Sequence, residues 1–222
     1  MNRNGDIVLE ACGISKSFPG VKALDEVSLT LRAGRLTALL GENGAGKSTL
    51  MNIIAGVFPP DAGLLRVEGS EVRFANTRAA RAAGIAMIFQ ELNLIPHLTV
   101  AENIFLGHEP RNGLGLLDSA AMNRNAAVLL AQLDLAVSPG ALVETLRVGQ
   151  QQVIEIARAL SGEARVIIMD EPTSAFSARE LDVLHGIIAG LTRQGVALAY
   201  IPHKPEELER IGDDAHVIPD GK

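Results

Sequence analysis

The chain has 222 residues, 47% hydrophobic and 21% charged, enough for one substantial core with an ordinary globular composition. Twenty basic against 26 acidic side chains give a net charge of −6, and no basic stretch points to a nucleic-acid surface. One cysteine, Cys12, excludes an internal disulfide and a cysteine-based zinc site, and no apolar run approaches the roughly 18 residues of a membrane span.

The opening "MNRNGDIVLE" has no apolar core of signal-peptide length, so a cytosolic chain is expected, with Cys12 a buried or half-buried filler. "DIVLEACGI" (6–14) and "VSLTLRAG" (27–34) predict strands. Residues 35–58, "RLTALLGENGAGKSTLMNIIAGVF", predict strand, glycine loop and helix, and "PPDAGLLRVEGSEVRF" a turn and short hairpin. "IAMIF" (85–89) predicts a short buried strand ending at Gln90, with Met87 and Phe89 in the core. From 91 to about 145, polar loops surround two helices, one opened by the capping box Thr99-x-x-Glu102. The last third runs helix, strand "VIIMD", helix, strand "VALAYI" with a core Tyr200, then helix. A second box, Ser177-x-x-Glu180, opens a helix whose Leu181, Leu184, Ile188 and Leu191 share one face. "VIPDGK" reads as a terminal hairpin. This alternation predicts an α/β fold with a mostly parallel, helix-covered sheet.

Residues 41–49, "GENGAGKST", match the phosphate-loop pattern between a strand and a helix, the context it requires. Gly41, Gly44 and Gly46 let the backbone curl and turn N–H groups toward phosphate, and Glu42, Asn43 and Ala45 complete the cradle. The helix from Lys47 adds its positive end, with Lys47 placed for the β- and γ-phosphates. Ser48 offers a hydroxyl to Mg²⁺, and Thr49 is placed for the neighbouring phosphate. A buried strand "VIIMD" would carry Asp170 to the sheet edge as a Mg²⁺ ligand, through water. Glu171, one step on, could polarise an attacking water. The competing reading of the pair is a solvated acidic strand end.

With these motifs in order, nearly the whole chain resembles an ATP-binding-cassette (ABC) ATPase. The fold this implies is a P-loop NTPase core with an N-terminal antiparallel β subdomain and an α-helical subdomain. Phe18 in "SKSFPGVKAL" matches the aromatic that stacks on adenine. Gln90 in "MIFQELNLIPHLTVAENIFLG" matches the glutamine that reads Mg²⁺ and faces the membrane partner. "LRVGQQQ" matches the signature, and the resemblance implies that Arg147, Gly149 and Gln150 face the nucleotide held by the opposite cassette, not the one on Lys47. His203 in "YIPHKPEEL" matches the switch histidine. Phe18, Gln90 and His203 each have a bland alternative: a surface aromatic, a polar strand end, an exposed histidine. His97, His108, His185 and His216 have no ligand-like spacing.

More narrowly, "FPGVKALDEVSLTL", "VGQQQVIEIARAL" and "SAFS" are similar to ATPase subunits of bacterial monosaccharide importers, the ribose, xylose and galactose group. Those subunits carry two cassettes in a chain of about double length. The resemblance implies one cassette over 1–222, truncated at its C-terminus, with a helical subdomain over about 91–160. It implies ATP and Mg²⁺, a second cassette, membrane permease subunits, a periplasmic sugar-binding protein acting indirectly, no nucleic acid, and a peripheral place at the cytoplasmic face of the membrane. Catalysis would fall to Lys47, Gln90, Glu171 and His203.

The chain departs from the family pattern in its signature and around the switch histidine, where Pro205 is the mildest change. Arg147 replaces the signature serine and cannot reproduce a short hydroxyl contact. Val148 replaces the first glycine, as is common in the sugar group. Pro202 stands where serine is usual before the histidine, removing an N–H and fixing φ. Arg147 and Pro202 leave open a degenerate or regulatory cassette with little ATP turnover.

Overall fold

The computed structural model describes residues 5–42, 44–89, 92–172, 178–202 and 214–218, with backbone alone at 178–180 and 214. The first half holds β1 (Ile7–Phe18), β2 (Val21–Arg32), β3 (Leu36–Leu40), α1 (Lys47–Ile54), β4 (Ala62–Val67), β5 (Ser70–Val72), α2 (Thr77–Ala82) and β6 (Ile85–Ile88). The second holds α3 (Val100–Phe105), α4 (Ser119–Gln132), a 3₁₀ turn at Val143–Thr145, α5 (Val148–Leu160), β7 (Val166–Asp170), α6 (Ala178–Arg193), β8 (Ala197–Ile201) and β9 (Asp214–Val217).

These strands form two sheets. An antiparallel sheet has the order β2-β1-β4-β5, and a parallel sheet the order β6-β7-β8-β3-β9. β6, β7 and β8 are apolar on both faces, as strands covered on both sides must be, whereas the edge strand β9 carries His216 and an exposed Val217. Ile167, Met169, Leu198 and Tyr200 face one core together with side chains of α3, α4, α5 and α6. Val166, Ile168, Ala197 and Ala199 face the other, shared with α1 and the antiparallel sheet. Period-2 alternation thus makes a single sheet the common wall of two hydrophobic layers.

Several expectations hold. The capping box at α3 is closed: Glu102 N–H donates to Thr99 Oγ1 (3.2 Å) and Thr99 N–H to Glu102 Oε2 (2.7 Å). Leu184, Ile188 and Leu191 of α6 are buried, Tyr200 is fully buried, and Cys12 is half-buried. The box at Ser177 and the last predicted helix lie outside the described residues.

Others are corrected. β1 and β2 run to Phe18 and back from Val21, longer than their apolar cores, because each completes the other's ladder. The short helix α2 was not foreseen from its alanine-rich sequence. The Asn76 side chain, accepting from Ala79 N–H (3.0 Å), starts it. β9 pairs parallel to β3, from Thr37↔Asp214 to Leu40↔Val217, while residues 219–222 of the predicted terminal hairpin lie outside the described residues. Phe89 lies beyond the end of β6 and is 37% exposed, so it is not a core residue.

Candidate functional site

β3 and β7 run parallel with β8 between them, so both end at the same sheet edge, where open α/β sheets bind ligands. β3 delivers Gly41, Glu42 and residues 44–46 there, and β7 delivers Asp170. Ala45 N–H donates to the Glu42 carbonyl (3.1 Å), tightening the loop. Gly46 takes φ 91° as N-cap of α1, and a Cβ there would lie 2.6 Å from Leu24 Cδ2 and collide with the Ala23 carbonyl. Only glycine fits, and this contact presses the β1–β2 hairpin against the loop. At Gly41 a Cβ would stand 2.9 Å from the Ile218 carbonyl just after β9.

Half-buried Lys47 folds over this loop. Its Nζ donates to the Gly41 carbonyl (2.7 Å) and the Glu42 carbonyl (2.9 Å). Thr49 is half-buried, and Gly44 and Ser48 are exposed. The Ser48 hydroxyl hydrogen-bonds the Asp170 carboxylate, joining residues far apart in sequence. Burial pushes the Asp170 carboxyl up and the neighbouring Glu171 charge adds to this, while Ser48 and Lys47 pull it down. Glu171 donates its N–H to the Ile201 carbonyl (3.0 Å), then turns the chain at φ 45°. That left-handed conformation is costly for a non-glycine residue. Buried Pro172 follows. An exposed hydroxyl beside a carboxylate is a hard-oxygen donor set that suits Mg²⁺.

Phe18 is 38% exposed at the hairpin end of β1, edge-on to Phe58 with centroids 5.5 Å apart. Lys16 Nζ lies 5.8 Å from the Phe18 centroid and is held by Asp61 (2.7 Å). The Phe18 ring is therefore fixed rather than loose on the surface.

Arg147, Gly149 and Gln150 are placed elsewhere. They start α5, whose apolar residues belong to the core on the far face of the sheet from α1. Arg147 is the exposed N-cap, and its N–H donates to Gln150 Oε1 (3.0 Å). A guanidinium has no acceptor, so only that half of a capping box is made. Val148 is 48% exposed while Gly149 is buried. Asn43, Gln90 and His203 lie outside the described residues. Pro202, half-buried, directly follows β8.

Polar residues not singled out in the sequence build the wall of a groove of about 680 Å³ between α2, β6 and α5. Glu155 and Arg158 of α5 and Arg81 of α2 line it beside Met87, Phe89 and Asn93. Glu155 is buried, and its one visible signal was a charge inside the apolar run "VIEIARAL". Asn103 of α3, fully buried, pins the loop before it: its Oδ1 accepts from Ile95 N–H, and its Nδ2 donates to the carbonyls of Ile95, Leu98 and Thr99.

A phosphate loop, an acidic pair at the parallel strand ends, an antiparallel sheet and a helical layer together define an ATP-binding cassette. Residues 24–174 match the family described as ABC transporter, and the chain belongs to that family. It is 62% identical over 97% of its length to a protein named ribose import ATP-binding protein RbsA from Rhodopirellula baltica, covering 42% of that protein. It is 50% identical over 97% of its length to galactose/methyl galactoside import ATP-binding protein MglA 1 from Photobacterium profundum, covering 44% of it. The chain thus spans less than half the length of these relatives. Among solved structures, the ADP conformation of an ATP-binding cassette of an ABC transporter superposes with a TM-score of 0.85 at 27% identity, over 97% of this chain and 89% of that one.

Proposed function

We propose that this chain is the ATP-hydrolysing cassette of a monosaccharide importer, working at the cytoplasmic face of the membrane against a second cassette and a permease. The observation that carries the reading is the meeting of Lys47, Ser48, Asp170 and Glu171 at one sheet edge. Backbone N–H groups of the loop and the α1 N-terminus bind the polyphosphate of ATP. Lys47 exchanges the two carbonyls it now holds for phosphate oxygens, which form stronger charge-assisted bonds. Ser48 and Asp170 would hold Mg²⁺, whose charge offsets that on the β- and γ-phosphates. Glu171 orients the attacking water, and Phe18 offers a fixed ring to adenine. Gln90 and His203 keep the roles the family resemblance gives them.

The names of the relatives support a sugar as cargo, and the groove beside Phe89 is the surface we assign to the permease. The periplasmic sugar-binding protein would act on that permease and never touch this chain. A second reading, a cassette that binds ATP but hardly turns it over, is favoured by Arg147 and Pro202. Lys47→Ala decides between them. Turnover should fall about a hundredfold or more, as when charge stabilisation is removed from phosphoryl transfer. Wild-type protein that binds Mg-ATP without turning it over would support the second reading instead.

A further inference from the structure

The polar groove wall is organised around one exposed loop residue. Both main-chain groups of Asn93 are taken by side chains of α5: Asn93 N–H donates to Glu155 Oε1 (2.9 Å), and Arg158 Nη1 donates to the Asn93 carbonyl (3.0 Å). Residues 155 and 158 are one turn apart on the same helix face. Arg158 is anchored in turn, since its carbonyl accepts from Arg81 Nη2 (3.2 Å) and from Ser161 Oγ (2.8 Å). Ser161 Oγ also lies 2.8 Å from His108 Nε2, beyond the end of α3. The network therefore joins α2, the groove loop, the segment after α3, and α5.

We propose that Glu155 and Arg158 clamp the main chain of Asn93 so that displacement of the groove wall moves α5, and with it the signature residues Arg147–Gln150, during ATP turnover. They are positioning residues and touch no nucleotide. The clamp rests on the cassette reading above, and it names how that cassette senses its partner. Burial disfavours the Glu155 charge, and the Asn93 N–H and the Arg158 charge oppose that cost. An apolar side chain of similar volume would hold α5 in the core as well or better. Stability alone therefore gives no reason for a carboxylate here. Asn93 stands three residues beyond Gln90, so the clamp grips the stretch that leads from the end of β6 into α3.

The test uses the full-length protein assembled with its permease and compares Glu155→Leu with Glu155→Gln, which keeps the Oε1 acceptor. Glu155→Leu should lower kcat about tenfold with KM for ATP within about threefold, and Glu155→Gln should restore kcat to within about threefold of wild type. Equal kcat in Glu155→Leu and wild type overturns the clamp, as does a Glu155→Gln variant as slow as Glu155→Leu. Should Glu155→Leu fail to fold, Arg158→Met at its half-buried site reads the same split, and an unchanged kcat there overturns the proposal equally. Wild-type protein with no Mg-dependent turnover would contradict the cassette reading itself, a result distinct from any of these.

Discussion

Arg147 stands at a position where chemistry and helix formation make separate demands. As N-cap of α5 it leaves a helix N–H without the side-chain acceptor that serine would give. Its backbone N–H keeps the other half of the box through Gln150. Arg147→Ser should therefore stabilise the protein by about 1 kcal/mol in denaturant unfolding. If the signature of this cassette serves a nucleotide held by its partner, the same change should move turnover by less than about tenfold. A larger gain would show that Arg147 limits the main site. Gly46 is the opposite case, because its conformation and its neighbours both forbid a side chain. Gly46→Ala should displace the hairpin or the loop and weaken ATP binding about tenfold or more in an equilibrium titration. Unchanged affinity would mean that the loop does not cradle phosphate in this geometry. Gly46 was legible because its motif is local and contiguous. The half-made box was not, since nothing in "LRVGQ" says which residue becomes the N-cap.

At the scale of the element, α5 joins two proposed functions on one amphipathic frame: a signature at its start and the Asn93 clamp in its middle. The carboxyl of Glu155 is pushed up by burial, with Arg158 beside it on α5 and Arg81 and His108 bordering the groove. A raised folded-state value means stability fully present below 4.5, the ordinary carboxyl value, and lost as pH rises through the folded value. Glu155→Gln, which cannot ionise, escapes that loss. Its melting temperature relative to wild type should therefore climb between about pH 4.5 and neutrality. A difference that stays constant over that range would show that burial does not set the titration of Glu155. The α3 box was readable because Thr99 and Glu102 are three residues apart. Glu155 was not, because its partner is a main-chain N–H sixty-two residues away, fixed only by tertiary packing.

For the whole molecule, the doubly covered sheet followed from sequence, because strands such as "VIIMD" and "ALAYI" are apolar on both faces and alternate with helices. Strand order did not follow. Placing β8 between β7 and β3, and β9 beside β3, depends on pairings no local pattern encodes. The motifs nonetheless anticipated that Lys47 and Ser48 would come to lie beside Asp170, as they do. If Lys47, Ser48, Asp170 and Glu171 form a working hydrolytic site, Glu171→Gln should abolish turnover while sparing binding. Mg-ATP affinity and turnover should be measured side by side for this variant and the wild type. Affinity should stay within about threefold and turnover should fall about a hundredfold or more, the loss expected when a general base is removed. Turnover of Glu171→Gln within about twofold of wild type would contradict such a site.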